Sequence, residues 1–153
     1  MNDEQHKNTR RTNLELELGE QLNTLITSMH ALNVRIAARF DASLQPAAFH
    51  LVRWLYSYGA TSASALAEAT AMDRSSVSRL VKQLELLGYV QRESSPHDRR
   101  GIFLSLTDLG REKTKDALKE KEIAYFERIS KWNEDQLEHF IGILKDFNGL
   151  DSR

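Results

Sequence analysis

Residues 73–82 read Asp-Arg-Ser-Ser-Val-Ser-Arg-Leu-Val-Lys. Wound as a helix with Val77, Leu80, Val81 and Leu84 turned inward, this stretch puts Ser75, Ser76, Ser78, Arg79, Lys82 and Gln83 outward. Short hydroxyls near a helix start suit close approach to a DNA backbone and to base edges, and the free N–H groups there favour phosphate. Arg79 is planar and forked, the shape that reads the O6/N7 edge of guanine. Lys82 is a point charge suited to phosphate. The plainer alternative is an amphipathic helix with a solvated polar face. A second cationic group follows at Asp98-Arg99-Arg100, in a polar stretch bounded by Pro96 and Gly101. An Arg on a thin loop can enter the minor groove, with a carboxylate to orient it. That loop could equally be a charged turn, but the two features in this order favour DNA.

Other chemistry has little to stand on. There is no cysteine, so disulfides, thiolate metal sites and thiol-based sensing are excluded. The five histidines (His6, His30, His50, His97 and His139) show no i,i+3 or i,i+4 pair of the kind that binds a metal on a helix. No Ser/His/Asp order, Gly-rich phosphate loop or paired carboxylates are present, so neither an enzyme nor a cofactor is expected. No apolar run reaches spanning length and residues 1–13 hold no apolar signal core, which leads us to expect a cytoplasmic protein.

The chain has 153 residues and a net charge of −1, which does not suggest a polyanion binder by bulk charge. Any such site must come from local clustering. Residues 1–12 are nearly free of apolar groups and are expected as a flexible arm. A capping-box pattern at Thr12-Asn13-Leu14-Glu15 predicts a helix start there. Leu14, Leu18, Leu22, Leu25, Met29, Leu32, Ile36 and Phe40 then form one long apolar stripe, which needs a partner along its length. Pro46 opens a second helix that Gly59 ends, with Phe49, Val52, Leu55 and Tyr56 as its inner face. A short helix follows a Ser/Thr start at Thr61-Ser62, and a helix from Asp73 closes at Gly88. The period then changes to two: Tyr89–Glu93 and Ile102–Leu106 predict a hairpin with a long charged tip. Thr107 caps a helix running to about Lys131. Asn133 caps the last, with Trp132 and Leu137 placed as a hydrophobic staple and Gly149 as its stop. The fold expected is mainly α, a winged helix–turn–helix over 46–106 flanked by helical segments at 13–45 and 107–150.

The stretch Leu66-Ala67-Glu68, Asp73-Arg74-Ser75-Ser76-Val77-Ser78-Arg79-Leu80-Val81, Leu84-Glu85, Gly88-Tyr89-Val90, Asp98-Arg99-Arg100 and Leu104-Ser105-Leu106-Thr107-Asp108-Leu109-Gly110 closely resembles the MarR (multiple antibiotic resistance regulator) family. Gln45-Pro46-Ala47-Ala48-Phe49 also matches the family's helix start. The resemblance covers about residues 45–110, and its elements fall in the family's order. It implies a two-fold homodimer held by the first and last helices, docked on a palindromic double-stranded operator. Ser75, Ser76, Ser78 and Arg79 would lie at the major groove, and Arg100 at the minor groove with Asp98 as its partner. The activity implied is sequence-specific transcriptional regulation, with repression as the expected sense. A winged-helix module that binds protein and has lost DNA is the alternative, supported by the near-neutral charge and acidic flanking helices.

Family members are often released from DNA by small aromatic or phenolic compounds. Arg39, Phe40, His50, Trp54 and Tyr58, with Tyr56 beside them, could line such a pocket. Aromatic residues at helical spacing are more often plain packing. Three positions depart from the family pattern without touching the proposed DNA face. Ala71 stands where Gly is frequent, Gln45 replaces a Thr cap, and Thr70 replaces an apolar turn residue. If residue 71 needs positive φ, Ala there costs about 1–2 kcal/mol.

Overall fold

The computed structural model describes residues 2–94 and 102–149, with side chains described from residue 8. Its elements are α1 (Asn2–Phe40), α2 (Pro46–Tyr58), α3 (Ala63–Thr70), α4 (Arg74–Leu86), β1 (Val90–Ser94), β2 (Ile102–Leu106), α5 (Asp108–Ile129) and α6 (Glu134–Phe147). The chain divides into two compact units after Leu118.

The first unit is built around α2, which packs against α1, α3, α4 and β2. Ala48, Phe49, Leu51, Val52 and Leu55 are its buried face. Tyr56, expected inside, is only half-buried, and an Arg111 guanidinium lies 5.9 Å over its ring. Pro46 opens the helix as expected. Gln45 makes no side-chain cap bond, so Pro46 and packing must define that start. Ser62 caps α3 by accepting from the Ala65 N–H. β1 and β2 pair antiparallel, from Val90 opposite Leu106 to Ser94 opposite Ile102. Thr61 adds a short third edge by exchanging both backbone bonds with Leu104, at 3.1 and 2.7 Å.

The start of α1 differs from the sequence expectation. The helix begins at Asn2, so the Thr12-Asn13 pattern lies in its interior. The Thr12 hydroxyl donates back to the Asn8 carbonyl at 2.9 Å, as a mid-helix Thr does. No Gly or Pro interrupts residues 1–13, and Arg11 pairs with Glu15 one turn on. Only the last turns of the α1 stripe are covered: Leu32, Ile36, Ala37 and Phe40 are buried, whereas Leu14, Leu18 and Leu25 are exposed.

Two helix ends use the same device. After α4, Gly88 takes φ +77° while its N–H bonds to the Glu85 carbonyl and that of Tyr89 to the Leu84 carbonyl. After α3, Ala71 takes φ +53° with the equivalent bonds to Glu68 and from Met72 to Ala67. Both are Schellman closures, which favour glycine at the left-handed position. Ala71 therefore carries the strain the sequence anticipated.

The second unit holds the end of α5 and all of α6. Asn133 and Gln136 form a full capping box. Trp132 meets Phe140 edge-on at 5.2 Å. No α6 residue is buried; Phe140, Ile141 and Phe147 remain open, as do Ile123 and Phe126 on α5.

Candidate nucleic-acid interface

The polar face of α4 is held in place from behind. Val77, Leu80, Val81 and Leu84 are essentially fully buried, which fixes the helix rotation and turns Ser75, Ser78, Arg79, Lys82 and Gln83 to the outside, with Ser76 half-buried. Asp73 caps the helix: its Oδ1 accepts from the Ser76 N–H at 2.8 Å and from the Ser75 hydroxyl at 2.5 Å. These bonds, that from the Ser75 hydroxyl foremost, hold the Asp73 carboxyl far below the usual carboxylate range, so the cap stays ionised. The Ser76 N–H, expected to be open to phosphate, is thus taken by the cap. Ser75 keeps lone pairs to accept with, its proton being committed to Asp73. Arg79 and Lys82 make no hydrogen bond or ion pair among the described residues. An exposed fork and an exposed ammonium one turn apart can both meet an external anion.

The wing base is braced to the same helix. Arg92 on β1 donates from Nε and Nη2 to the two Glu85 carboxylate oxygens, at 2.7 and 3.2 Å. Glu93 accepts from Ser105 across the hairpin and from Gln91, bonds that lower its pKa in that order. The wing residues Asp98, Arg99 and Arg100 lie outside the described residues.

Tyr89 joins this block to α1 and α5, a connection sequence reasoning missed. Its hydroxyl donates to Asp41 Oδ2 at 2.7 Å, and its ring lies 4.8 Å from that of Phe40. Lys113 donates to the Phe40 carbonyl at 3.1 Å and to the Tyr89 hydroxyl oxygen at 3.2 Å. These partners are 24 and 48 residues apart from Tyr89, so no local pattern announces them.

The aromatic group on α2 separates. Phe40 is core, 1% exposed, with its ring tilted against those of Phe49 and Tyr89. Neither Phe40 nor Arg39 lines the two recesses beside α2 described next. His50, Trp54 and Tyr58 do. One recess of about 190 Å³ runs between α1 and α2, from His30 and Val34 to His50 and Arg53. A neighbouring one of about 180 Å³ is lined by His50, Arg53, Trp54, Ser57, Tyr58 and Ala69. Trp54 and Tyr58 pack at 5.0 Å as its aromatic wall. Burial, and secondarily the Arg53 charge, push the His50 pKa down, which leaves a neutral imidazole with one donor and one acceptor. Arg53, shared by both recesses, was not singled out from sequence; its i,i+3 spacing from His50 was the available signal.

Comparison with known proteins bears on this arrangement. A family profile described as MarR family matches residues 42–101. The chain is 30% identical over 122 residues to YdgJ, an uncharacterised HTH-type transcriptional regulator of Bacillus subtilis, covering 78% of this chain and 74% of that one. In fold it is similar to a MarR family protein from Bacillus stearothermophilus, at TM-score 0.77 and 17% identity over 94% of this chain and 98% of that one. It is also similar to wild-type apo MarR from E. coli, at TM-score 0.66 and 18% identity over 85% and 95%. Members of the family are transcriptional regulators and not enzymes. The chain, with its braced α4 and two-stranded wing, belongs to the MarR family and is a transcriptional regulator with a DNA-binding winged helix.

Proposed function

We propose that two copies of this chain bind an inverted-repeat operator as a repressor, each placing α4 in a major groove. The observation that carries this reading is the outward face of α4, with Ser75, Ser78, Arg79 and Lys82 open to solvent over a locked apolar back. Ser75, Ser76 and Ser78 approach backbone and base edges, Arg79 reads a guanine edge, and Lys82 meets phosphate. Arg99 and Arg100, with Asp98 as orienter, serve the minor groove beside it. Pairing through the outer helices is supported by the uncovered apolar residues of α1 and α6, since a long stripe left in water needs a partner. Successive half-sites would then be read about 34–36 Å apart.

The effector reading is that a small aromatic or phenolic compound lowers DNA affinity from the His50–Arg53–Trp54–Tyr58 recesses. Each alone is small for a ligand, but they share His50 and Arg53 and together suit a single ring with a polar substituent. The protein would act in the cytoplasm, where its operator is.

The test is a salt titration of binding to duplex from the gene's own promoter region. The logarithm of affinity should fall against the logarithm of salt with a slope of about −0.9 per phosphate neutralised. A flat response, or no complex, would overturn the reading and favour a protein-binding module. Adding a simple phenol should dissolve the complex, and Trp54→Ala should abolish that release.

A further inference from the structure

Tyr89 ties the DNA-facing block to the long helices through both its backbone and its side chain. Its N–H bonds to the Leu84 carbonyl at the end of α4, at 2.9 Å, and its carbonyl accepts from the Thr107 N–H at the start of α5, at 3.1 Å. Its ring packs on Phe40, the last residue of α1. Its hydroxyl stands between opposite charges, donating to Asp41 and accepting from Lys113. Lys113 also binds the Phe40 carbonyl, where the negative end of the α1 dipole favours a cation. Asp41 is fixed in turn by the Ser43 hydroxyl and N–H, at 2.6 and 2.9 Å.

A purely apolar junction here would fill the same space but tolerate small rotations, because dispersion is not directional. Hydrogen bonds are directional, and a satisfied, part-buried polar cluster selects one arrangement of the elements that carry it. Tyr89 is 6% exposed. The elements it fixes are α4, which faces DNA, and α1 and α5, which run on toward the segments read above as joining two copies.

We propose that Asp41, Tyr89 and Lys113 form a positioning clasp that sets the angle of α4 against α1 and α5, and thereby the half-site spacing the paired protein accepts. The clasp rests on the reading that two copies bind paired half-sites. None of the three touches DNA; they act through α4. Loosening the clasp leaves the α4 side chains and the half-site sequence they read unchanged, but lets each α4 swing, so that operators with a shifted spacing are accepted.

The experiment is selection of bound duplexes from a random pool with the full-length chain. Affinities are then measured for the selected site with its spacer lengthened or shortened by one base pair. Wild type should select one spacing. Tyr89→Phe, which removes only the hydroxyl, should select the same half-site sequence. Its preference for the native over the altered spacer should fall about fivefold, the factor that one net hydrogen bond corresponds to. Should Tyr89→Phe fail to fold, Asp41→Asn at its half-exposed position carries the same comparison. A variant that is merely less stable and keeps the wild-type spacer preference overturns the clasp. Wild type that selects no paired half-sites overturns the underlying reading instead, and the clasp with it.

Discussion

Gly110→Ala sets two known effects against each other, and the structure decides which wins. Gly110 is the third residue of α5. Alanine inside a helix is favoured over glycine by about 1 kcal/mol, so propensity alone predicts stabilisation. At this position, however, an added Cβ would lie 2.1 Å from the Tyr89 carbonyl oxygen, 2.9 Å from its carbonyl carbon and 3.1 Å from its Cα. All three are backbone atoms and cannot rotate away. Relief needs a shift of about 1 Å, and three bonds resist it: Thr107 N–H to the Tyr89 carbonyl at 3.1 Å, the Thr107 hydroxyl to the Gly88 carbonyl at 2.6 Å, and Gly110 N–H to Thr107 Oγ1 at 3.0 Å. Losing two of them costs roughly 2 kcal/mol, at about 1 kcal/mol each. Overpacking adds about 1–3 kcal/mol. After subtracting the propensity gain, net destabilisation is about 2–4 kcal/mol, or a fall in Tm of roughly 5–15 °C for a chain of this length. Urea and thermal unfolding followed by circular dichroism, at one fixed protein concentration, measure it. Gly142→Ala is the internal control. Its Cβ would meet nothing within 4 Å, and it lies on the Glu138 and Lys145 side of α6, so that variant should gain up to about 1 kcal/mol. Gly110→Ala matching or exceeding wild-type stability would refute the close-approach reasoning.

Three further outcomes follow from the same geometry. Ala71→Gly should stabilise by about 0.5–1 kcal/mol: relief of left-handed strain, about 1–2 kcal/mol, exceeds the added unfolded-state entropy of about 0.4–1 kcal/mol, and denaturant unfolding reads the difference. Lys82→Ala should weaken DNA binding evenly across sequences and reduce the steepness of the salt dependence by about 0.9 per copy; an unchanged slope removes Lys82 from the phosphate contacts. The third outcome concerns Asp41, whose carboxyl is held below its ordinary range, first by the Ser43 hydroxyl and then by the Tyr89 hydroxyl. A depressed carboxyl contributes stability that is fully present above its unfolded pKa and is lost as pH falls through the folded value. The Tm gap between wild type and Asp41→Asn should therefore be widest above about pH 5 and close toward pH 3, and a gap that widens with acid would contradict this.

The order of elements was legible because each boundary has a local cause: Pro46 at the start of α2, Ser62 and Asn133 as caps, Gly88 as a left-handed stop. The outward set on α4, apart from the half-buried Ser76, was legible for the same reason, since Val77, Leu80, Val81 and Leu84 take the inward face. The start of α1 was misread because Thr12-Asn13-Leu14-Glu15 has a cap's composition but sits within an unbroken run of helix-compatible residues, where a Thr hydroxyl bonds back to the previous turn. Phe40 was placed on a pocket rim because its aromatic partners come from Phe49 and from Tyr89, far along the chain. The Tyr89 clasp and the Gly110 close approach are likewise tertiary, and periodicity carries no information about contacts of that kind.

The reading of DNA by α4 is tested most directly at Arg79. Wild type and Arg79→Ala should be measured against every single-base variant of one selected half-site. Wild type should lose about 1–3 kcal/mol for a wrong base at the position Arg79 reads, and Arg79→Ala should lose that discrimination there and keep it elsewhere. Two profiles that superimpose at every position, at equal or merely scaled affinity, would contradict the account.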